Sequence, residues 1–166
     1  MEMLRTCKAV LVAALAFFFG LVVFDNVTDY GSNYEFVHHV LAMDSTFPDN
    51  HLMWRSIQMP VIYHVFYIGI ITFETICGTT LAYGAWRIFT ARSATEPTYV
   101  QAKQIATAGL TLGLLLWMVV FLCIGGEWFA MWQSPTWNGQ SAAFRMFTIN
   151  GLILLFLWQP EATATA

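Results

Sequence analysis

Charge is what this chain has least of. Only 10% of its 166 residues are Asp, Glu, Lys or Arg, where a soluble domain carries about 25%. A surface so poor in charge cannot be solvated all round, and the medium that suits it is lipid. Basic residues are fewer than acidic ones, seven against ten, for a net charge of −3. That removes the electrostatic footprint of a nucleic-acid binder. The three cysteines, Cys7, Cys77 and Cys123, form no motif and fall at different depths, which argues against a disulfide framework. Gly-x-Ser-x-Gly, P-loop, dinucleotide and His-Glu-x-x-His patterns are missing, as is the Cys-x-x-Cys-His of haem attachment. With no catalytic constellation, a non-enzymatic role is the expectation.

Long hydrophobic runs are what is present. Ala9 to Phe24 is uncharged, and Met3 to Lys8 extends it if Arg5 and Lys8 snorkel. Between Ser56 and Trp86 the sole formal charge is Glu74; Gln104 to Gly126 has none; Gln140 to Trp158 has only Arg145. These runs predict four spans, approximately 3–24, 57–86, 104–126 and 141–159, in one membrane domain covering 1–166. None alternates as a barrel strand does. The first run ends Val23-Phe24-Asp25-Asn26 without a small-residue cleavage pattern, so it reads as a retained span. The fold class is therefore an all-α integral membrane protein. Its expected form is a four-helix up-down bundle with short interfacial helices in the outer loop, 25–56.

Lys and Arg set the direction. Arg5 and Lys8 precede span one, and Arg87, Arg92 and Lys103 flank the second connection. The first loop has Arg55 alone against Asp25, Asp29, Glu35, Asp44 and Asp49. Both termini are therefore expected in the cytoplasm. Arg145 breaks the pattern, and an outer-face pair with Glu127 is the expected explanation.

In the first loop, Ser32 and Glu35 have capping-box spacing, and Tyr34, Val37, Val40 and Leu41 share a helical face. Asp44 to Pro48 ends that helix, and a second short one is expected to start near Pro48. Trp128, Trp132 and Trp137 crowd the third loop, as in an aromatic belt. The plain reading of these segments is an interfacial lid. The sharper one is a docking surface for a larger membrane protein, using Tyr34, Phe47, Trp128, Trp132 and Trp137. Asn26-Val27-Thr28 matches a glycosylation acceptor, a motif too short to carry weight. Gly109 and Gly113 have the spacing of close helix packing.

Glu74, in mid-span, is the most informative residue. A carboxyl there costs about 3 kcal/mol on insertion scales, so it should face the bundle or a cavity. At 100° per residue, Tyr63, Tyr67, Glu74 and Cys77 lie on one stripe. Asn150 sits at similar depth, so Glu74 is expected to meet the Asn150 amide or a threonine hydroxyl. Glu74, Tyr63, Tyr67 and Asn150 are thus the ligand- or proton-binding candidates. The competing reading is a neutral acid that joins helices by hydrogen bonds. The four histidines all lie on the outer side, which excludes a haem held across the bilayer by this chain alone. A copper or zinc site from His38, His51 and His64 is an alternative. His38 and His39, being adjacent, should point to different faces, so at most one of them is expected to join such a site.

The stretches from Asp25 to Asp49 and from Gly125 to Gln140 resemble a bacterial family described as predicted small integral membrane proteins, a domain-of-unknown-function family. The resemblance covers nearly the whole chain. It implies a multi-pass protein of the bacterial inner membrane and brings no activity, ligand or catalytic residue. The first expectation for function is a non-catalytic accessory subunit of a respiratory or photosynthetic membrane complex. The alternatives are a small transporter or a lipid- or quinone-binding protein using Glu74, or a metal-handling redox protein using the outer histidines. No cofactor is expected beyond a metal, lipid or quinone in those alternatives.

Overall fold

The computed structural model of the protein describes residues 1–160. No strand occurs among them; the chain runs α1 (Glu2–Thr28), α2 (Tyr30–Ala42), α3 (Pro60–Thr90), α4 (Glu96–Leu115) and α5 (Gln140–Trp158). A π-helix over Leu116–Trp128 continues α4, and single 3₁₀ turns occupy Met53–Arg55 and Met131–Gln133. Four helices are long and apolar enough to cross a membrane: α1, α3, the continuous Glu96–Trp128 unit, and α5. Lipid cannot hydrogen-bond the backbone, so a spanning segment must satisfy itself, as a helix does. The threonines conform. The hydroxyls of Thr72, Thr75, Thr79, Thr111 and Thr148 each donate to a carbonyl four residues back.

The helices are longer than the uncharged runs. Asp25 and Asn26 continue α1 rather than ending it, with Asp25 exposed and Asn26 buried. Pro60 starts α3, three residues later than expected, because proline suits a first helical turn and lacks the N–H needed further in. Glu96-Pro97 starts α4 eight residues early. Lys103 marked that boundary in the sequence, yet it is buried with its ammonium over the Trp158 ring. The capping box does not form. Tyr30 begins α2, no side chain caps it, and Ser32 donates instead to Asp29. Pro48 sits in a turn, and the expected second helix is only the turn at Met53–Arg55.

α1 packs on α3, α3 on α4, α4 and its π continuation on α5, and α5 returns to α1, which closes an up-down bundle. One end carries the start of α1 and the end of α5. There the Arg5 guanidinium pairs with Glu96 and donates to the Ala94 carbonyl, and Lys8 donates to the Gln159 carbonyl at 2.7 Å. Neither cation snorkels to the surface: both are almost fully buried. In this half α3 and α4 touch backbone to backbone, since a Cβ on Gly84 would lie 2.6 Å from the Ala106 nitrogen. Gly109 meets Leu81, and Gly113 meets the Asn150 side chain. The Gly109/Gly113 spacing therefore serves two different neighbours.

The opposite end is capped. α2 buries Val37, Val40 and Leu41 against Tyr63, Tyr67, Phe129 and Met131. Met43, in the left-handed conformation at φ 56°, turns the chain off the end of α2. The two loops then interlock: Ser45 meets Ser134 at 2.8 Å, Gln133 accepts from the Phe47 N–H, and Arg55 donates to the Trp128 carbonyl. Under this cap the third span widens. The Phe129 N–H bonds to the Ile124 carbonyl five residues back, at 3.0 Å. π geometry is rare, usually confined to one turn, and frequent at functional sites; here it extends over 13 residues.

Candidate functional site

Every third or fourth residue of α1 from Arg5 onward faces inward: Lys8, Val12, Leu15, Phe19, and finally Asn26. On α3 the inward stripe includes Tyr67 and Glu74, about 10.5 Å apart along the axis at 1.5 Å per residue. Asn26 fills that gap. Its amide N–H donates to Glu74 Oε2 at 2.8 Å. The Tyr67 hydroxyl lies within hydrogen-bonding distance of both the Asn26 backbone carbonyl and Oδ1. Asn33, from α2, also donates to Asn26 Oδ1, at 2.7 Å. Three helices thus meet in one polar knot beneath the cap.

The knot lines a cavity of about 230 Å³, with Val22, Phe36, Trp117, Phe121, Gly139 and Ala142 among its other walls. Two groups there are incompletely bonded. Glu74 Oε2 takes the Asn26 hydrogen bond, the one side-chain hydrogen bond this carboxyl makes among the described residues. The Trp117 indole N–H is buried and has no hydrogen-bond partner among the described residues. Buried polar groups are nearly always paired, so an orphaned donor calls for an explanation. Phe36, Val37, Ile70 and Phe121 also line a second cavity of about 360 Å³. That one is walled by hydrocarbon, including Phe66, Gly69, Phe73, Val120 and Ile124. Phe66 and Ile124 are partly exposed on the flank of the bundle, so the apolar cavity opens sideways, between α3 and the π-helix.

The candidates named from sequence separate into groups. Tyr67 joins Glu74. Tyr63 does not: its hydroxyl donates to the Ile57 carbonyl at 2.6 Å. Asn150 is fully buried, but its amide N–H donates to Met146 O of its own helix. The expected Glu74–Asn150 contact is replaced by Glu74–Asn26. Asn26, Asn33 and Trp117 were missed, and the three-to-four-residue stripe along α1 was the available signal for Asn26. Glu127 and Arg145 are both exposed, and no ion pair joins them among the described residues. Tyr34 stacks on His64 at 4.4 Å. Phe47 packs edge-on to Trp132, and Trp128 edge-on to Trp54, all four exposed. Trp137 lies flat on His39, rings 4.5 Å apart.

The histidines also regroup. His51 is exposed and makes no hydrogen bond, ion pair or ring contact among the described residues, and His64 Nδ1 pairs with the Tyr30 hydroxyl at 2.8 Å. Neither joins His38. His38 and His39 instead converge, their rings stacked 4.8 Å apart, which corrects the expectation that they diverge. Glu35 precedes them by three and four residues, so on a helix it neighbours both. Its Oε2 lies 3.1 Å from His38 Nδ1 and 3.7 Å from His39 Nε2. Asp44, returned by the turn at Met43, holds the other nitrogen of His39 at 2.7 Å.

Four apolar helices closed into a bundle, with a polar pocket under a helical cap, define a multi-pass helical integral membrane protein. The chain belongs to the family described as predicted small integral membrane protein (DUF2165), whose model matches residues 4–160. No curated protein and no solved structure matches it.

Proposed function

We propose that this protein binds an amphipathic small molecule drawn from the bilayer, with its polar head at Glu74 and its hydrocarbon part in the lateral cavity. The carrying observation is the adjacency of the two cavities: one hydrocarbon-walled and open on the bundle's flank, the other lined by Glu74 and the unpartnered Trp117 N–H. Small-molecule sites are typically apolar clefts of about 300–1,000 Å³ with a few placed polar groups, and this pair fits that description. A head group offering a donor to Glu74 and an acceptor to Trp117, as a quinol or a lipid hydroxyl does, matches the two open valences.

Positive charge at the terminal end supports, by the positive-inside rule, a reading in which that end faces the cytoplasm of a bacterial inner membrane. The ligand would then sit in the outer leaflet. The test is native mass spectrometry and solvent extraction of protein purified in mild detergent. A single small-molecule species at a fixed ratio, lost from Glu74→Leu and Trp117→Phe, is expected. Only bulk membrane lipid, the same in wild type and variants, would overturn the reading.

A second reading, an accessory subunit of a larger complex, draws on the exposed Phe47–Trp132 and Trp54–Trp128 pairs at the capped end. Such pairs suit either a partner or the headgroup layer. Pull-down from native membranes separates these: one large partner at fixed stoichiometry, released by Phe47→Ser with Trp132→Ser, favours the subunit.

A further inference from the structure

We propose that Glu35, His38 and His39 form a divalent transition-metal site on the capped end, suited to Zn²⁺, with Asp44 orienting His39. This site is separate from the cavity, and the inference does not depend on the ligand reading above.

The donor set is one carboxylate and two imidazoles, the chemistry of many open zinc sites. Zinc at ~2.0–2.1 Å from tetrahedral donors places those donors about 3.4 Å from one another. Glu35 Oε2 stands 3.1 Å from His38 Nδ1 and 3.7 Å from His39 Nε2, which brackets that edge length. All three donor atoms lie within 4.8 Å of one another, so the longest edge closes by a side-chain rotation.

The second observation is the state of the other His39 nitrogen. A metal-bound histidine almost always gives its remaining ring N–H to a carboxylate, a carbonyl or water, which fixes the tautomer. The Asp44 carboxylate accepts at His39 Nδ1, 2.7 Å away, and leaves the Nε2 lone pair towards Glu35. The ring planes are held from outside as well. Trp137 stacks on His39 with planes 13° apart, and Tyr63 lies 4.7 Å from His38. Stacked rings cannot both aim a lone pair at one ion, so binding turns His38 out of the stack while Asp44 and Trp137 hold His39. Glu35 is half-exposed and the histidines are roughly a third exposed, so the site is reachable from water and keeps a coordination position open.

The test uses the full chain, purified in mild detergent through a tag without histidines. Zn²⁺ is titrated in competition with a chelating dye, and Co²⁺ is used as a spectroscopic probe. One saturable Zn²⁺ per chain and the visible bands of tetrahedral Co²⁺ are expected. Binding should be lost in His39→Ala and weakened at least tenfold in His38→Ala and Glu35→Gln. Asp44→Asn should weaken it about 10- to 100-fold. His51→Ala and His64→Ala should bind as wild type does. Glu35→Gln and Asp44→Asn each replace a single exposed group, so they keep the readout available if removing a histidine unfolds the cap. Absence of saturable binding, binding that survives His38→Ala with His39→Ala, or binding lost in His51→Ala would each overturn the proposal.

Discussion

The terminal half and the capped half of this bundle use the same kinds of residue to opposite ends. In the terminal half glycine brings backbones together: Gly84 sits against Ala106, and Gly109 against Leu81. In the capped half Gly69 has no atom within 4 Å of where its Cβ would be, and it lines the apolar cavity. Polar groups divide in the same way. Arg5 and Lys8 are buried against carbonyls that tie together the ends of three helices. Glu74 and Trp117 are buried beside space. Where helices only need to adhere, small residues and satisfied charges serve. In the capped half the same fold widens a helix and leaves a buried donor beside open space.

Substitution can break this contrast. Gly84→Leu forces a side chain into the Ala106 backbone and should cost about 3 kcal/mol, the upper range for overpacking. Gly69→Leu should cost under about 0.5 kcal/mol, as at an unconstrained surface site, while expelling the proposed ligand. Thermal unfolding in detergent compares the two, and equal costs would erase the distinction between the halves. Next in size, Asn26→Leu strands Glu74 and removes the side-chain acceptor of Asn33, while the Tyr67 hydroxyl keeps the backbone carbonyl of residue 26, and should cost about 1–3 kcal/mol. Adding Glu74→Leu should recover part of that loss, and a double-mutant cycle reads the coupling. A third variant sharpens the cavity argument. Trp117→Phe removes an unpaired buried donor, so it should stabilise the ligand-free protein by about 1 kcal/mol and yet weaken ligand retention. If stability and retention fall together, Trp117 is structural. At the bottom of the scale, Arg145→Gln should leave the melting temperature unchanged, because no carboxylate among the described residues pairs with it.

The number and order of spans were legible because missing charge is a coarse signal that local detail cannot hide. Where a span ends was less so, since a charge was taken for a boundary. Asp25, Glu96 and Lys103 all lie inside helices: Asp25 points outward, and Lys103 is buried against aromatic rings. Glu74 stood out as an isolated carboxyl in an apolar run. Its partner did not, because Asn26 looked like loop once α1 was ended at Phe24. The His38–His39 convergence was hidden for a different reason. Successive residues diverge by about 100° on a helix, but Glu35 lies between the two directions and Asp44 returns from beyond the helix end, which a spacing argument confined to the histidines does not see.

The threonine hydroxyls and the Asn26–Glu74 bond together have a consequence for biogenesis. Synthesis presents the N-terminal segments first. When α3 leaves the ribosome, Thr72, Thr75 and Thr79 carry their own acceptors, and the acid it must bring into lipid has its amide on α1, which is made first. Asn150, on the last helix, turns its N–H to its own backbone. No hydrogen bond of Glu74 or Asn150 waits for a helix not yet made, so the order of polar residues along the chain is also a workable order of membrane entry. Exchanging Asn26 and Val22 would leave the composition intact and remove that provision.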